Sequence, residues 1–513
     1  MKYLQHLFKV ILALFLIFTC YLNTFQIDGT CGYQDRFTQF DELIAIGNVN
    51  AMLTPESAKH FVFYTISGNT VMYGRAIFYI DAITSFIPYK IWGLSGQIVA
   101  TRITHTLSLL VAFYIFIILF IDKKNALLRS VIALLLCLMP YTLYFCIVPK
   151  PEPFLLLFIA LFCYFSIKFN FQKLWPFLFL GLAFATKISV LSIVPIFTTF
   201  IWLKSDLPWL KKIFLTGFYF IFGLIIGVPT LLLGVVKPIY WQYYFSHTFG
   251  TIKQDYDDAS ITFFTWLKYI GFEYFSLYWI VIIPLLLLPI GLLIYKIVKN
   301  KKITFQQLLF VSGLFVIILV SISTKRMWPQ YLYFGWVLFF FGLCSIELKK
   351  LQYTITITFL LLGVGELKTV LNHTKYLIDR ENDIAFQSTK QNSTKILKHL
   401  VNGINSSPIF IDVSAYLPNS LFIKHCRYQP FESDKKPTDI CIEQINNFGD
   451  QLYKNANSIV FFNSNPKTRV LAKNTIIMED EKNALLTFNT NVPKVFYMDT
   501  AFGEIEVYKR VIK

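Results

Sequence analysis

Apolar residues gather in long runs over the first 370 positions, among them 10–18, 109–121, 154–162 and 281–293, with short polar islands between them. Extended through their flanks, these runs reach the roughly 20 residues an α-helix needs to cross ~30 Å of hydrocarbon. The pattern predicts spans near 8–27, 97–121, 127–147, 153–168, 174–188, 190–203, 213–234, 270–295, 303–322, 331–347 and 352–370. The stretch 76–93 is apolar but carries Asp81, Pro88 and Lys90, which suits a helix lying in the interface. The first run follows Lys2 and Lys9 as a signal peptide would. It lacks a small-x-small cleavage site and continues through Tyr21-Leu22-Asn23, so it reads as an uncleaved span.

The islands carry the topology. Lys123, Lys124 and Arg129; Lys168 and Lys173; Lys204, Lys211 and Lys212; Lys296, Lys299, Lys301 and Lys302; and Lys349 and Lys350 alternate with weakly basic connections. Under the positive-inside rule these are cytoplasmic loops, the N-terminus is inside, and about eleven crossings leave the C-terminus outside. External loops then cover 28–96 and 236–265. Beyond 370 the chain is polar and Asn-rich. Runs at 408–413, 458–462 and 504–508 read as strands, and 394–401 and 442–452 have helical spacing. The expected fold is an all-α polytopic membrane domain over 1–370, followed by a soluble extracytoplasmic α/β domain over 371–513.

Composition agrees: 55% of residues are hydrophobic, 18% aromatic and 15% charged, outside the soluble globular range. The formal charge of +17 sits in loop islands rather than in a basic patch with interleaved aromatics, which argues against a nucleic-acid partner. The eight cysteines form no CxxC pair and no zinc-like cluster. Cys426 and Cys441, both in the tail, are placed to pair only if that tail meets an oxidising compartment. The bias toward Lys, Ile, Phe and Asn points to an AT-rich bacterial genome, hence to an inner (plasma) membrane.

Charges at the outer ends of spans are the candidate chemistry. They are Asp41-Glu42; Lys150 and Glu152 within Pro149-Lys150-Pro151-Glu152-Pro153; Lys187 after Ala185-Thr186; and Lys325-Arg326 before Met327-Trp328-Pro329-Gln330-Tyr331. The 236–265 loop adds His247 and several acids. Carboxylates facing cations at one depth suit an anionic, hydroxyl-rich ligand: a cation meets a phosphate and a carboxylate takes a hydroxyl proton. Each position also has a plainer reading. Asp41-Glu42 can be a solvated pair at a helix start, Lys150 and Glu152 an interfacial ion pair, and Lys325-Arg326 ordinary anchors beside aromatics. His247 can be a loop histidine and no more.

Taken in order, these motifs resemble the GT-C superfamily of integral-membrane glycosyltransferases, which includes protein O-mannosyltransferases and the lipid A aminoarabinose transferase. Asp41-Glu42 is similar to the acidic motif of their first external loop. The stretch 72–93 resembles their juxtamembrane helix, and 96–106 with Arg102 the start of the next span. Lys150-Pro151-Glu152-Pro153-Phe154-Leu155 resembles their basic-x-acid-x-Leu segment. Gly181-Leu182-Ala183-Phe184-Ala185-Thr186-Lys187 is similar to their Gly-Leu-Ala-x-x-Thr-Lys stretch, and Lys325-Arg326 with Tyr331 to their basic-aromatic-Pro element. The chain departs from the pattern where Glu152 replaces the usual Asp, Ile188-Ser189 follows Lys187, and Pro329 precedes Tyr331.

The resemblance implies a GT-C fold and inverting sugar transfer from a polyprenyl-phosphate donor to a lipid-linked glycan, a lipid A-like lipid or a protein. Asp41 would be the general base with Glu42 beside it. Lys150, Glu152, Lys187, Lys325, Arg326 and Tyr331 would hold the donor, with Arg102 and His247 as further substrate contacts. It implies no firm cofactor, and no residue pattern supports a divalent metal. The competing expectations are a flippase or transporter of lipid-linked sugars, which calls for an internal inverted repeat and broken helices; a glycan polymerase or ligase, which calls for Arg-rich external loops; and a non-catalytic anchor.

Overall fold

The computed structural model describes residues 6–24, 40–55, 57–66, 74–139, 141–238, 303–323 and 329–344, a few isolated positions, and five strands of the C-terminal region. The described residues are largely helical. In chain order the helices are α1 (Leu7–Leu22), α2 (Phe40–Leu53), α3 (Ala58–Ile66), α4 (Arg75–Phe120), α5 (Ala126–Leu138), α6 (Thr142–Ile147) and α7 (Glu152–Lys168). They continue as α8 (Phe177–Thr186), α9 (Val194–Lys204), α10 (Trp209–Gly227), α11 (Thr230–Val236), α12 (Phe305–Ser323) and α13 (Tyr333–Leu343). The expected spans at 270–295 and 352–370 lie outside the described residues.

Proline sets where the helices begin. Pro151 precedes α7, Pro176 precedes α8, Pro208 precedes α10, Pro229 precedes α11, and α9 carries a proline in its first turn. At those positions the missing N–H would have no helical partner anyway, and the fixed φ is already helical. The same residue breaks runs that read as continuous in the sequence. The expected span 213–234 divides at Val228, whose backbone leaves the helical region one residue before Pro229. The expected span 127–147 divides into α5 and α6, with Tyr141 at φ 70°. Ser95–Phe120 and Trp209–Gly227 are the two described helices long and apolar enough to cross a membrane; the other apolar helices are shorter.

α4 is two helices joined at Gly93, whose φ of 61° and ψ of −142° suit glycine. A straight helix would separate Asp81 and His105 by ~36 Å at about 1.5 Å per residue, yet their side chains meet at 3.0 Å. The chain therefore doubles back between them, and Gly96 lies so close to the Pro88 carbonyl that a Cβ would stand 2.2 Å from it.

Side chains stitch the neighbouring elements. The last carbonyls of α3 have no partner within that helix. They accept from Arg75 at Tyr64, from the Tyr79 hydroxyl at Thr65 (2.6 Å) and from Thr230 Oγ1 at Ile66 (2.8 Å). Arg75 also lies over the Phe78 ring, and burial lowers its guanidinium to about 10.

Elsewhere helices pack through glycine. A Cβ at Gly181 of α8 would stand 2.1 Å from the Phe220 carbonyl of α10, and one at Gly223 would stand 2.1 Å from Leu178 O. Gly313 of α12 faces the Phe339 and Gly335 backbone of α13 in the same manner. Such notches let backbones approach and gain dispersion contacts, the kind of packing that holds helices together in lipid. On α10 the residues turned away from this seam, including Leu210, Phe214, Phe218 and Phe222, are exposed and apolar. The main core gathers the second half of α4 with α5, α7, α12 and α13, and α13 is buried along its whole length.

The chain divides into two units: residues 1–22, 55–83 and 102–372 in one, and 23–54, 84–101 and 373–513 in the other. The second holds α2, where Gln97 Nε2 donates to Ile46 O at 2.9 Å. It also holds a five-stranded sheet of β1 (Ile409–Asp412), β2 (Cys441–Glu443), β3 (Ser458–Ser464), β4 (Lys494–Thr500) and β5 (Gly503–Lys509), in the order β2-β1-β3-β5-β4. β1 pairs parallel with β2 and β3, whereas β3–β5 and β4–β5 are antiparallel. β1, β3 and β5 fall on the three runs read as extended; β2 and β4 were not anticipated. The helical spacings at 394–401 and 442–452 fall outside the described residues, apart from the two of β2.

Candidate functional site

Three of the charged or aromatic positions singled out in the sequence meet at helix ends. Glu152 opens α7, Lys187 is the first residue after α8, and Tyr331 lies in the 3₁₀ turn Pro329–Leu332 ahead of α13. Each position follows from local structure. Pro151 and Pro153 confine the start of α7, so Glu152 stands in its first turn, where a carboxylate also meets the positive end of the helix dipole. α8 stops at Thr186, and Lys187 turns extended at φ −156°, ψ 126°, so its side chain leaves the helix axis.

Lys187 Nζ donates to Glu152 Oε1 at 2.5 Å and stands 4.4 Å from the centre of the Tyr331 ring. The pair is shielded, with 15% of the Lys187 side chain and 3% of the Glu152 side chain exposed. An ammonium held between a carboxylate and the negative face of a ring is fixed from two directions. The other carboxylate oxygen, Glu152 Oε2, is buried and accepts no hydrogen bond among the described residues. A desolvated charged acceptor without a donor is costly, so this atom calls for a partner that the described residues do not provide.

Behind Glu152 lies a second polar pair. His105 Nδ1 donates to the Lys150 carbonyl at 2.9 Å, and Nε2 stands 3.0 Å from Asp81 Oδ2. Both residues are fully buried. The Phe154 ring meets His105 edge-on at 4.8 Å. Burial raises the Asp81 carboxyl above the ordinary carboxylate range, and the adjoining His105 opposes that shift. Sequence reasoning noted Asp81 only as an interruption and passed over His105. The signal was there: an acid in an apolar run and a histidine within a span are both rare without partners.

Lys150 is buried one residue from the second proline of its turn, and its carbonyl is the His105 acceptor. Arg102 is buried on α4, three residues and hence one helical turn before His105. Asp41 and Glu42 occupy the second and third positions of α2, in the unit that excludes Lys150, Glu152, Lys187 and Tyr331. Their side chains, like Lys325, Arg326 and His247, lie outside the described residues. Among the described residues no three His, Cys, Asp or Glu side chains gather as metal ligands.

Comparison of this chain with protein-family models, with curated proteins and with solved structures gave no match.

Proposed function

We propose that this chain is a multi-pass membrane glycosyltransferase of GT-C type that moves a sugar from a polyprenyl-phosphate donor to a lipid, glycan or protein acceptor on the extracytoplasmic face. Its helices would form about eleven spans, with the C-terminal region as an external α/β domain, in a bacterial inner membrane. The observation that carries the reading is the meeting of Glu152, Lys187 and Tyr331, from segments far apart in sequence, around a buried carboxylate oxygen that has no donor among the described residues.

The chemistry suits that set. The acceptor hydroxyl oxygen forms a bond to the anomeric carbon from the face opposite the phosphate. The carbon–oxygen bond to phosphate breaks, and its electron pair leaves with the phosphate. Asp41 takes the hydroxyl proton as the new bond forms. The leaving phosphate already carries charge, so fixed cations stabilise it without an acid. Glu152 and Lys187 neutralise each other, and the excess positive charge for the phosphate comes from Lys150, Lys325 and Arg326. Glu152 Oε2 is then the acceptor for a sugar hydroxyl. The donor's prenyl tail would lie in lipid against the apolar helix faces.

The test uses the full chain in reconstituted bilayers with a polyprenyl-phosphate sugar. Asp41→Asn should lower turnover by about 10²–10⁴-fold, the usual worth of a general base, while donor binding persists. Turnover near that of the unaltered chain would remove Asp41 from the reaction. Thiols introduced at Ala45 and Ser323 should react from the same, external compartment; labelling from opposite sides would rule out a shared site.

A further inference from the structure

The turn that carries Glu152 has few hydrogen-bond donors of its own. In Pro149-Lys150-Pro151-Glu152-Pro153 every second residue lacks an N–H, so only Lys150 and Glu152 offer backbone donors. Its carbonyls accept from neighbouring elements, and α4 reaches this region with successive side chains. Thr106 Oγ1 reaches the Cys146 carbonyl at 2.8 Å at the end of α6, and His105 Nδ1 reaches the Lys150 carbonyl at 2.9 Å within the turn.

The protons of His105 follow from its partners. A carbonyl only accepts, so Nδ1 carries a hydrogen. Nε2 faces a carboxylate oxygen at 3.0 Å, so one proton lies between them, either as imidazolium beside carboxylate or as neutral ring beside carboxylic acid. Both arrangements leave Nδ1–H aimed at Lys150. Phe154, two residues beyond Glu152, packs at right angles to the ring with centroids 4.8 Å apart.

We propose that His105 is a positioning residue for Glu152: Asp81 fixes its ring and tautomer from behind, and its Nδ1–H pins the proline-rich turn that presents the Glu152 carboxylate to ligand. This rests on the reading of Glu152 as a ligand-binding group. The arrangement transmits position through one carbonyl and needs no contact between His105 and substrate.

Two substitutions separate the halves of the clamp. In His105→Asn the amide nitrogen stands near the former Nδ1 and keeps the bond to Lys150. In His105→Gln it reaches toward Asp81 and abandons Lys150. The experiment is solid-state NMR of the full chain in bilayers, with 15N-histidine and 13C-glutamate labels, alongside sugar-transfer kinetics. Nδ1 of His105 should be protonated throughout a pH titration of the folded protein. His105→Gln should shift the Glu152 carboxyl resonance, and His105→Asn should leave it in place. Turnover should fall about tenfold to a hundredfold in His105→Gln, the scale of a ~1 Å misplacement, with His105→Asn close to the unaltered chain.

A Glu152 resonance unmoved by His105→Gln, or an unprotonated Nδ1, overturns the proposal. Asp81→Asn guards against loss of folding: its amide can donate to a neutral ring, so Nδ1–H and the Glu152 resonance should both persist, and loss of that proton overturns the clamp equally. If the resonances follow this pattern while even the unaltered chain transfers no sugar, the clamp stands and the transferase reading fails.

Discussion

The α12–α13 pair and the corner of Glu152, Lys187 and Tyr331 are both buried contacts between elements distant in sequence, but they are built from opposite materials. Along α12 and α13 no charge takes part: glycines at 313, 335 and 342 admit the neighbouring helix, and phenylalanines fill the remainder, with Phe310 and Phe339 rings 4.7 Å apart. At the corner a carboxylate, an ammonium and a ring meet with one oxygen left over. The first arrangement is held by close packing, with the Ser312 hydroxyl of α12 also buried without a hydrogen bond among the described residues. In the second the unpartnered atom is an oxygen of a charged group, which costs more to leave unpaired than a hydroxyl, and that difference marks the corner as the candidate site.

Removing one charge should give the largest effect. Lys187→Ala leaves Glu152 buried and unpaired, at a cost of roughly 3–5 kcal/mol in stability. The double change Glu152→Gln with Lys187→Met should restore most of that, since a neutral pair of similar volume removes the desolvation cost. Heating detergent-solubilised protein and following the surviving monodisperse fraction checks both, and equal losses in the two variants would mean that the cost comes from lost packing rather than from an unpaired charge.

The glycine seams come next. Gly181→Ala places a Cβ against the Phe220 carbonyl at 2.1 Å, so α8 and α10 must separate, for about 1–3 kcal/mol. Donor affinity per folded molecule should hold unless Lys187, at the end of α8, moves with the helix; its measurement tells whether the seam also positions the site.

Smaller still is the hydroxyl pair of α6 and α13. Thr142 Oγ1 donates to Leu136 O at 2.7 Å, so the Tyr333 hydroxyl donates to Thr142 at 2.6 Å. Tyr333→Phe should cost about 1 kcal/mol in the same assay. Phe218→Leu, on the exposed apolar face of α10, should stay within about 0.5 kcal/mol.

The helices were largely legible because apolar runs and prolines are written locally. Their divisions were less so: Pro229 was visible, but hydropathy averages across it, and one run became α10 and α11. Part of the site was legible as charges at the ends of apolar runs. Glu152, Lys187 and Tyr331 each stand at or near the end of an apolar run, and the structure brings these three together. Asp81 and His105 could not be joined that way, because they lie 24 residues apart on a helix that folds back at Gly93. A reversal of that kind is set by one glycine's backbone and leaves no periodic mark.

The central claim is that the corner receives a sugar-phosphate lipid, and direct binding tests it best. Saturable binding of a polyprenyl-phosphate sugar should be measured for the full chain in lipid nanodiscs and for the Glu152→Gln, Lys187→Met double variant, matched for folding. The account expects affinity about a hundredfold weaker, or less, in the variant, in line with losing a desolvated charge contact. Equal affinity in the two proteins would contradict it.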